Sequence, residues 1–182
     1  KSEGCRDCWA MRMAKRLQAM GRPEYQSVLD EKGNWNGRAI FLDHRLEDPF
    51  KWRKPRNVLV AFMGDLFHES LNPAYVHRIF EVMAMTPQHQ YYVLTKRASN
   101  MEYTLARCTP LPNVLLGVSV ENQKAADERR GFLEVLAGLG WKMWASNEPA
   151  LEAVNWNGWE FLTWMVTGGE SGSKARAMPP NA

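Results

Sequence analysis

Residues 114–146 read VLLGVSVENQKAADERRGFLEVLAGLGWKMWAS, and this stretch decides the fold class. It begins with a nearly continuous apolar run (114–119) and ends with a second short run (142–146). The residues between them are charged on one side and place Phe132, Leu133 and Leu136 on the other, which predicts a helix over 122–136. A strand, a helix and a second strand in this order form the repeating unit of parallel sheets.

The same alternation continues outward in both directions. A helix is predicted over 73–85, where Asn72 and Pro73 provide an N-cap and a proline at the first helical position, and another over 8–20. Counting the two runs already quoted, six apolar runs predict strands: 38–43 (RAIFLD), 57–62 (NVLVAF), 90–95 (QYYVLT), 114–119 (VLLGVS), 142–146 (KMWAS) and 162–167 (LTWMVT). About six βα units predict an α/β fold with parallel strands, either a doubly wound open sheet or a closed or partly closed barrel.

Length and composition restrict the class of protein. The 182 residues, 45% of them hydrophobic, suffice for one domain with a buried core, so a disordered chain is excluded. No apolar run approaches the roughly 18 residues of a membrane span, and residues 1–16 lack the apolar core of a signal peptide. The 23 basic and 20 acidic residues leave a net charge of +3, too small to indicate a dedicated nucleic-acid surface. We therefore expect a cytoplasmic protein without a membrane partner.

The two ends of the sequence predict a fragment. The first residue is Lys1 rather than Met, and the last segment (175–182, ARAMPPNA) completes no recognisable element. We expect a single domain over 1–182 that is truncated at both ends.

Polar residues and glycines follow five of the six predicted strands at equivalent places. Because the carboxyl ends of parallel strands meet at one edge of a sheet, these residues predict a shared binding pocket. The candidates, in chain order, are Asp65, Lys96, Arg97, Glu121, Asn122, Asn147, Glu148, Gly168, Gly169 and Glu170. Lys96 and Arg97 suit a carboxylate or a phosphate, whereas Glu121 and Glu148 suit hydroxyl or amine groups.

A C-x2-C pair, Cys5 and Cys8, lies directly before the predicted helix over 8–20. The N-terminal end of a helix favours the thiolate, which is the form that binds metal. The pair alone leaves three interpretations open: half of an iron-sulfur site, half of a zinc site, or a redox pair. Cys108 stands by itself, and we interpret it as a partly buried free thiol.

Several motifs occur together and in fixed order along nearly the whole chain. They are GCRDCWAMRMAKRLQAMG (4–21), WRKPR (52–56), DLFHE (65–69), LTKR (94–97), GVSVEN (117–122), NEP (147–149) and TGGESG (167–172). This set resembles a phage-associated family of uncharacterised radical-SAM-like proteins with a three-cysteine motif, whose barrel is distantly similar to spore photoproduct lyase.

The resemblance implies one radical-SAM-like domain, a partial (βα) TIM-type barrel. It further implies a 4Fe-4S cluster held by three thiolates, with Cys5 and Cys8 as two of the ligands and the third upstream of Lys1. The open iron would bind S-adenosylmethionine and cleave it to a 5′-deoxyadenosyl radical. The ten strand-end residues would then hold this cofactor or the substrate.

The resemblance also implies partners, although it assigns no catalytic residue. An unidentified electron donor would supply the electron, and the expected substrate is a nucleotide or a modified DNA base. A phage-encoded protein would work in the cytoplasm of the host cell. Gly168, Gly169 and Glu170 match by letter the GGE element that contacts the methionine amine in radical-SAM enzymes, but they follow the last predicted strand rather than an early one.

Two other functions stay open from the residues alone. One is a degenerate barrel without catalysis, in which the cysteines hold zinc or nothing and the pocket binds a nucleotide or a protein partner. The other is a metal-dependent hydrolase built on Asp65, His68 and Glu121. A third cysteine before Lys1 would favour the radical enzyme.

Overall fold

The fold is a five-stranded parallel sheet with helices. The structure is a computed structural model that describes residues 2–6, 8–172 and 174–181. The strands follow one another in chain order across the sheet, and every neighbouring pair is parallel. They are β1 (Asn57–Val60), β2 (Gln90–Thr95), β3 (Val114–Ser119), β4 (Lys142–Asn147) and β5 (Leu162–Thr167). The predicted α/β class with parallel strands is confirmed.

The described residues form six helices: α1 (Trp9–Ala19), α2 (Pro23–Gln26), α3 (Asp48–Lys51), α4 (Pro73–Met85), α5 (Ala98–Leu105) and α6 (Gln123–Gly138). Three of them, α4 to α6, connect successive strands and cover one face of the sheet, and the other three precede β1. The helices predicted over 8–20, 73–85 and 122–136 correspond to α1, α4 and α6. Asn72 caps α4, because its side-chain oxygen accepts from the Ala74 N–H over 2.9 Å. The sequence reasoning missed α5.

The strand predicted over 38–43 is wrong, and with it the count of six units. Among the described residues the sheet has five strands and ends at β1 on one side and β5 on the other, so it is open. The 38–43 segment makes no ladder of backbone hydrogen bonds with a described strand, and contacts with side chains hold it in place. The Ala39 N–H donates to Ser70 Oγ, Phe41 stacks on Tyr75 of α4, and Asp43 pairs with Arg78. The apolar run predicted a strand, whereas the partners of this segment lie on α4 and, for Ser70, just before it.

The main core lies between the sheet and helices α4 to α6. Val93 of β2, Leu116 of β3, Met101 of α5 and Leu133 of α6 are all completely buried there. No helix among the described residues is long and apolar enough to cross a membrane.

Aromatic residues fill part of the other face of the sheet. Trp144 of β4 stacks between Trp164 of β5 and Phe62, with ring centroids 5.0 and 6.4 Å away. Its Nε1 donates to the Val93 carbonyl over 3.0 Å. Gly117 of β3 makes this possible, because a Cβ there would overlap the Trp144 ring. We call Phe62, Trp144 and Trp164 the aromatic layer.

Candidate functional site

A cleft with a volume of about 1430 Å³ reaches the carboxyl ends of the strands and extends along β1, where Val58 and Leu59 line it. Both cysteines of the C-x2-C pair line it. Six of the ten strand-end candidates also line it: Asp65, Lys96, Arg97, Glu148, Gly169 and Glu170. The structure therefore brings the cysteine pair and most of the predicted polar residues to one cavity.

Cys5 reaches this cleft on a short turn at the start of the chain, residues 2–6, which we call the cysteine turn. It contains a 3-10 helix over Glu3–Cys5, and Cys8 then occupies the N-cap position of α1 without a side-chain capping hydrogen bond. Gly4 is buried against the strand ends: a Cβ on it would lie 3.1 Å from Pro149 Cδ and 3.5 Å from Glu121 Cβ. A residue without a side chain lets the turn approach the loops after β3 and β4 closely.

Glu121 follows β3 and anchors a buried ion-pair group. Its side chain is 2% exposed, and its Oε2 accepts from Lys96 Nζ over 3.2 Å and from Arg129 Nη1 over 2.8 Å. Burial alone would raise the pKa of Glu121. Lys96, Arg129 and the Ser2 hydroxyl outweigh burial and lower this pKa from 4.5 to about 2. We call Lys96, Glu121 and Arg129 the Lys96 triad; its formal charge is +1.

A second group of three charges lies beside the first, because Arg97 follows Lys96 in the chain. Arg97 Nη1 donates to Asp65 Oδ2 over 2.8 Å, and its Nε donates to Glu69 Oε1 over 2.7 Å. The hydrogen bond from Arg97 lowers the pKa of Glu69. Asp65 also accepts from the Thr95 hydroxyl over 2.7 Å. This Arg97 triad of Asp65, Glu69 and Arg97 has a formal charge of −1.

Glu170 of the predicted GGE element is already paired. Arg176 donates to it from the backbone N–H and from the guanidinium, over 2.9 and 3.0 Å to Oε2. These hydrogen bonds lower the pKa of Glu170 to about 2. Sequence reasoning missed Arg176 and Arg129, because neither directly follows a strand: Arg129 lies within α6, and Arg176 lies in the irregular segment well beyond the end of β5.

Four of the ten strand-end candidates are not among the described residues that line the cleft. Glu121 is buried and accepts from Lys96, which does line the cleft. Asn122 caps α6, since its Oδ1 accepts from the Ala125 N–H over 2.9 Å. Asn147 is completely buried, and neither side-chain polar atom has a hydrogen-bond partner within the described part of the chain. Gly168 lies against Glu148 so closely that a Cβ would overlap its carboxylate.

The metal-dependent hydrolase interpretation finds no support in the arrangement. Within residues 2–6, 8–172 and 174–181, no three His, Cys, Asp or Glu residues form a group that could hold a metal ion. Asp65 and Glu121 are occupied by cations in the two triads. His68 Nδ1 accepts from the Ser70 N–H over 3.1 Å, which gives this ring a role in the local turn.

Cys108, the third cysteine, is a free, partly buried thiol, as predicted. Its Sγ lies 3.8 Å from His77 Nδ1 of α4 and 3.6 Å from the Thr104 carbonyl of α5. Burial raises the pKa of this thiol. Cys108 is not among the described residues that line the cleft, so it is not positioned to join Cys5 and Cys8 at one metal site.

Comparison with known proteins gives one match. A family model described as "Protein of unknown function (DUF5131)" matches residues 1–181. No curated protein and no solved structure matches the chain.

Proposed function

We propose that this chain, which belongs to the DUF5131 family of unknown function, is a radical-SAM-like enzyme on a partial TIM-type barrel. In this proposal it binds a 4Fe-4S cluster and S-adenosylmethionine at the carboxyl ends of the strands. The five strands follow one another in sequential order, as the strands of a barrel do, whereas the order in a doubly wound sheet reverses.

One observation carries the proposal: Cys5 and Cys8 line the same cleft as Asp65, Lys96, Arg97, Glu148 and Glu170. A thiolate pair at the start of α1 suits a cluster, because the helix dipole stabilises negative charge there. The described residues supply two of the three thiolates that the cluster needs, so the proposal requires a third ligand from outside them. When bound, the cluster would supply one electron to the sulfonium of S-adenosylmethionine, releasing methionine and a 5′-deoxyadenosyl radical.

The two triads suit the two charged ends of the cofactor's amino acid. The Lys96 triad carries one excess positive charge, and Lys96 retains donors that can bind a carboxylate. The Arg97 triad carries one excess negative charge, which suits an ammonium group. Glu148, whose side chain lies at the cleft beside Gly168, can accept from ribose hydroxyls. A cleft of about 1430 Å³ also leaves room for a substrate, for which we retain a nucleotide or a modified DNA base.

The degenerate barrel remains a second candidate, and one observation favours it. No third His, Cys, Asp or Glu joins Cys5 and Cys8 in a metal-binding group within the described part of the chain. In this case the cysteines bind zinc or no metal, and the cleft takes a nucleotide or a protein partner without chemistry at a cluster.

Anaerobic reconstitution separates the two candidates. The protein, expressed from its natural start, is incubated with iron and sulfide, and iron and acid-labile sulfide are measured. Dithionite and S-adenosylmethionine are then added, and 5′-deoxyadenosine is quantified. The matched variants are Cys5→Ala, Cys8→Ala and Cys108→Ala, since only the first two cysteines line the cleft.

The radical enzyme predicts iron, sulfide and 5′-deoxyadenosine in the unmodified protein and in Cys108→Ala, and loss of all three in the other two variants. Zinc without labile sulfide, or equal iron content in all variants, would reject the radical enzyme and favour the degenerate barrel.

A further inference from the structure

The segment after β5 returns to the cysteine turn, and Arg176 makes the contact. Its backbone N–H and Nε donate to Glu170 Oε2, as described above. Its Nη2 donates both to Glu170 and, over 3.1 Å, to the backbone carbonyl of Glu3. One guanidinium thus joins the residues after β5 to the turn that carries Cys5, although 173 positions separate the two in sequence.

The two partners of this contact differ in exposure, since the Arg176 side chain is 33% exposed and the Glu170 side chain is buried. The Glu170 side chain is only 4% exposed. A Cβ on Gly169 would lie 3.4 Å from Met178, and one on Gly172 would lie 3.0 Å from the guanidinium of Arg12 in α1. The described residues over 169–172 and 174–178 therefore contact both α1, at Arg12, and the cysteine turn, at Glu3.

We propose that Arg176 is a positioning residue that holds the cysteine turn against Glu170 and limits the access of solutes to Cys5 and Cys8. The charge-assisted hydrogen bonds to Glu170 fix the Arg176 guanidinium, and its hydrogen bond to the Glu3 carbonyl then restrains the turn, so the turn opens less often while both are intact. Both thiols are only partly buried, so Arg176 lowers the access of solutes to them without excluding it. The position of Arg176 does not depend on the proposed function. Only the role of Cys5 and Cys8 as cluster ligands rests on it.

Thiol alkylation measures this access directly. The reduced, metal-free protein is treated with iodoacetamide, and the rate at each cysteine is followed by mass spectrometry of the peptides. Cys108 is an internal control. Arg130→Ala is the matched variant, because Arg130 also donates to a carboxylate (Glu134, 3.0 Å) and to a carbonyl (Gly158, 3.1 Å), but on α6.

Alkylation of Arg176→Ala is expected to be about two- to tenfold faster at Cys5 and Cys8, with no change at Cys108, because the loss of one hydrogen bond lets the turn open more often. The alkylation rates of Arg176→Lys are expected to lie between those of the unmodified protein and Arg176→Ala, since one ammonium cannot form all the hydrogen bonds of the guanidinium. Arg130→Ala is expected to match the unmodified protein at all three cysteines.

Unchanged rates at Cys5 and Cys8 in Arg176→Ala would overturn the inference. Equal acceleration at Cys108 would also overturn it, because that result indicates general loosening. Neither outcome depends on a cluster, since the protein is metal-free. Faster alkylation in a protein that never gains iron and sulfide would support the role of Arg176 and reject the radical enzyme.

Discussion

Glu121 is almost completely buried and yet ionised, because two cations face it. Lys96 and Arg129 both contact one of its oxygens, and the Ser2 hydroxyl of the cysteine turn contributes a further hydrogen bond. Removing the negative charge would leave two cations close together with little solvent around Arg129. This residue thus links the stability of the strand ends to the position of the turn that carries Cys5.

We predict that Glu121→Gln lowers the free energy of unfolding at neutral pH. The lowering of the Glu121 pKa from 4.5 to about 2 corresponds to roughly 3 kcal/mol. Urea unfolding measures the loss. Glu134→Gln is the control, because its pair with Arg130 is exposed and is expected to contribute less than about 1 kcal/mol. Equal effects of the two substitutions would contradict the role given to Glu121.

The same pKa predicts a pH dependence. The native pKa lies below the unfolded one, so the contribution of Glu121 is complete above about pH 4.5 and decreases as the pH falls toward 2. The difference in unfolding free energy between the unmodified protein and Glu121→Gln should therefore shrink over that range. A difference that stays constant from pH 7 to pH 2 would show that the charge of Glu121 is not its source.

Gly117 is a second residue on which neighbouring structure depends, because the Trp144 ring occupies the space where its Cβ would be. We predict that Gly117→Ala displaces this ring and removes its hydrogen bond to Val93, at a cost of about 3 kcal/mol. Gly131→Ala, within α6 and with no atom within 4 Å of the new Cβ, should instead stabilise by about 0.5–1 kcal/mol. Thermal unfolding distinguishes them, and a neutral Gly117→Ala would contradict the packing of the aromatic layer.

At the scale of the elements, the periodicity of apolar residues predicts the strands and the long helices. It does not predict the site, which depends on contacts between individual polar side chains. The alternation of β2, β3 and β4 with α4 and α6 is visible in the sequence, because β3 and β4 are almost wholly buried and give short apolar runs, and β2 alternates between buried and half-buried residues. The 38–43 segment has the same apolar pattern, but its contacts to Ser70, Tyr75 and Arg78 keep it beside α4. The sequence of residues 38–43 alone does not indicate whether the segment pairs with the edge of the sheet or packs beside α4.

The residues after the strands were predicted to be site residues because of their position in the chain. Their contacts in the structure show which of them face the cleft. Lys96 and Glu148 line the cleft as expected, while Asn122, which also follows a strand, caps the next helix. Both outcomes are compatible with a polar residue at a strand end. Arg129 joins the Lys96 triad from the second turn of α6, and no pattern at the strand ends indicates a residue at that place.

We predict that Asn122 stabilises the protein by capping α6 and does not bind a ligand. Asn122→Ala should lower the free energy of unfolding by about 1 kcal/mol, and Asn122→Asp should retain the cap and the stability. Chemical denaturation of both variants tests this. A fully stable Asn122→Ala would show that the capping hydrogen bond contributes nothing.

At the scale of the whole molecule, the cleft is assembled from both ends of the chain. Ser2 and Gly4 contact the loops after β3 and β4, and Arg176 joins the start of the chain to the residues after β5. The open sheet leaves its carboxyl ends accessible, and the aromatic layer fills space on the face without helices. The cysteine turn thus lies over the charged strand ends, and this placement is the basis of the proposed chemistry.

The anomalous scattering of iron in anaerobic crystals of the reconstituted protein locates the metal directly. We predict an iron peak beside the sulfur atoms of Cys5 and Cys8, inside the cleft and on the side facing Lys96 and Glu148. An iron peak elsewhere on the molecule, or ordered Cys5 and Cys8 side chains without an iron peak beside them, would contradict the account.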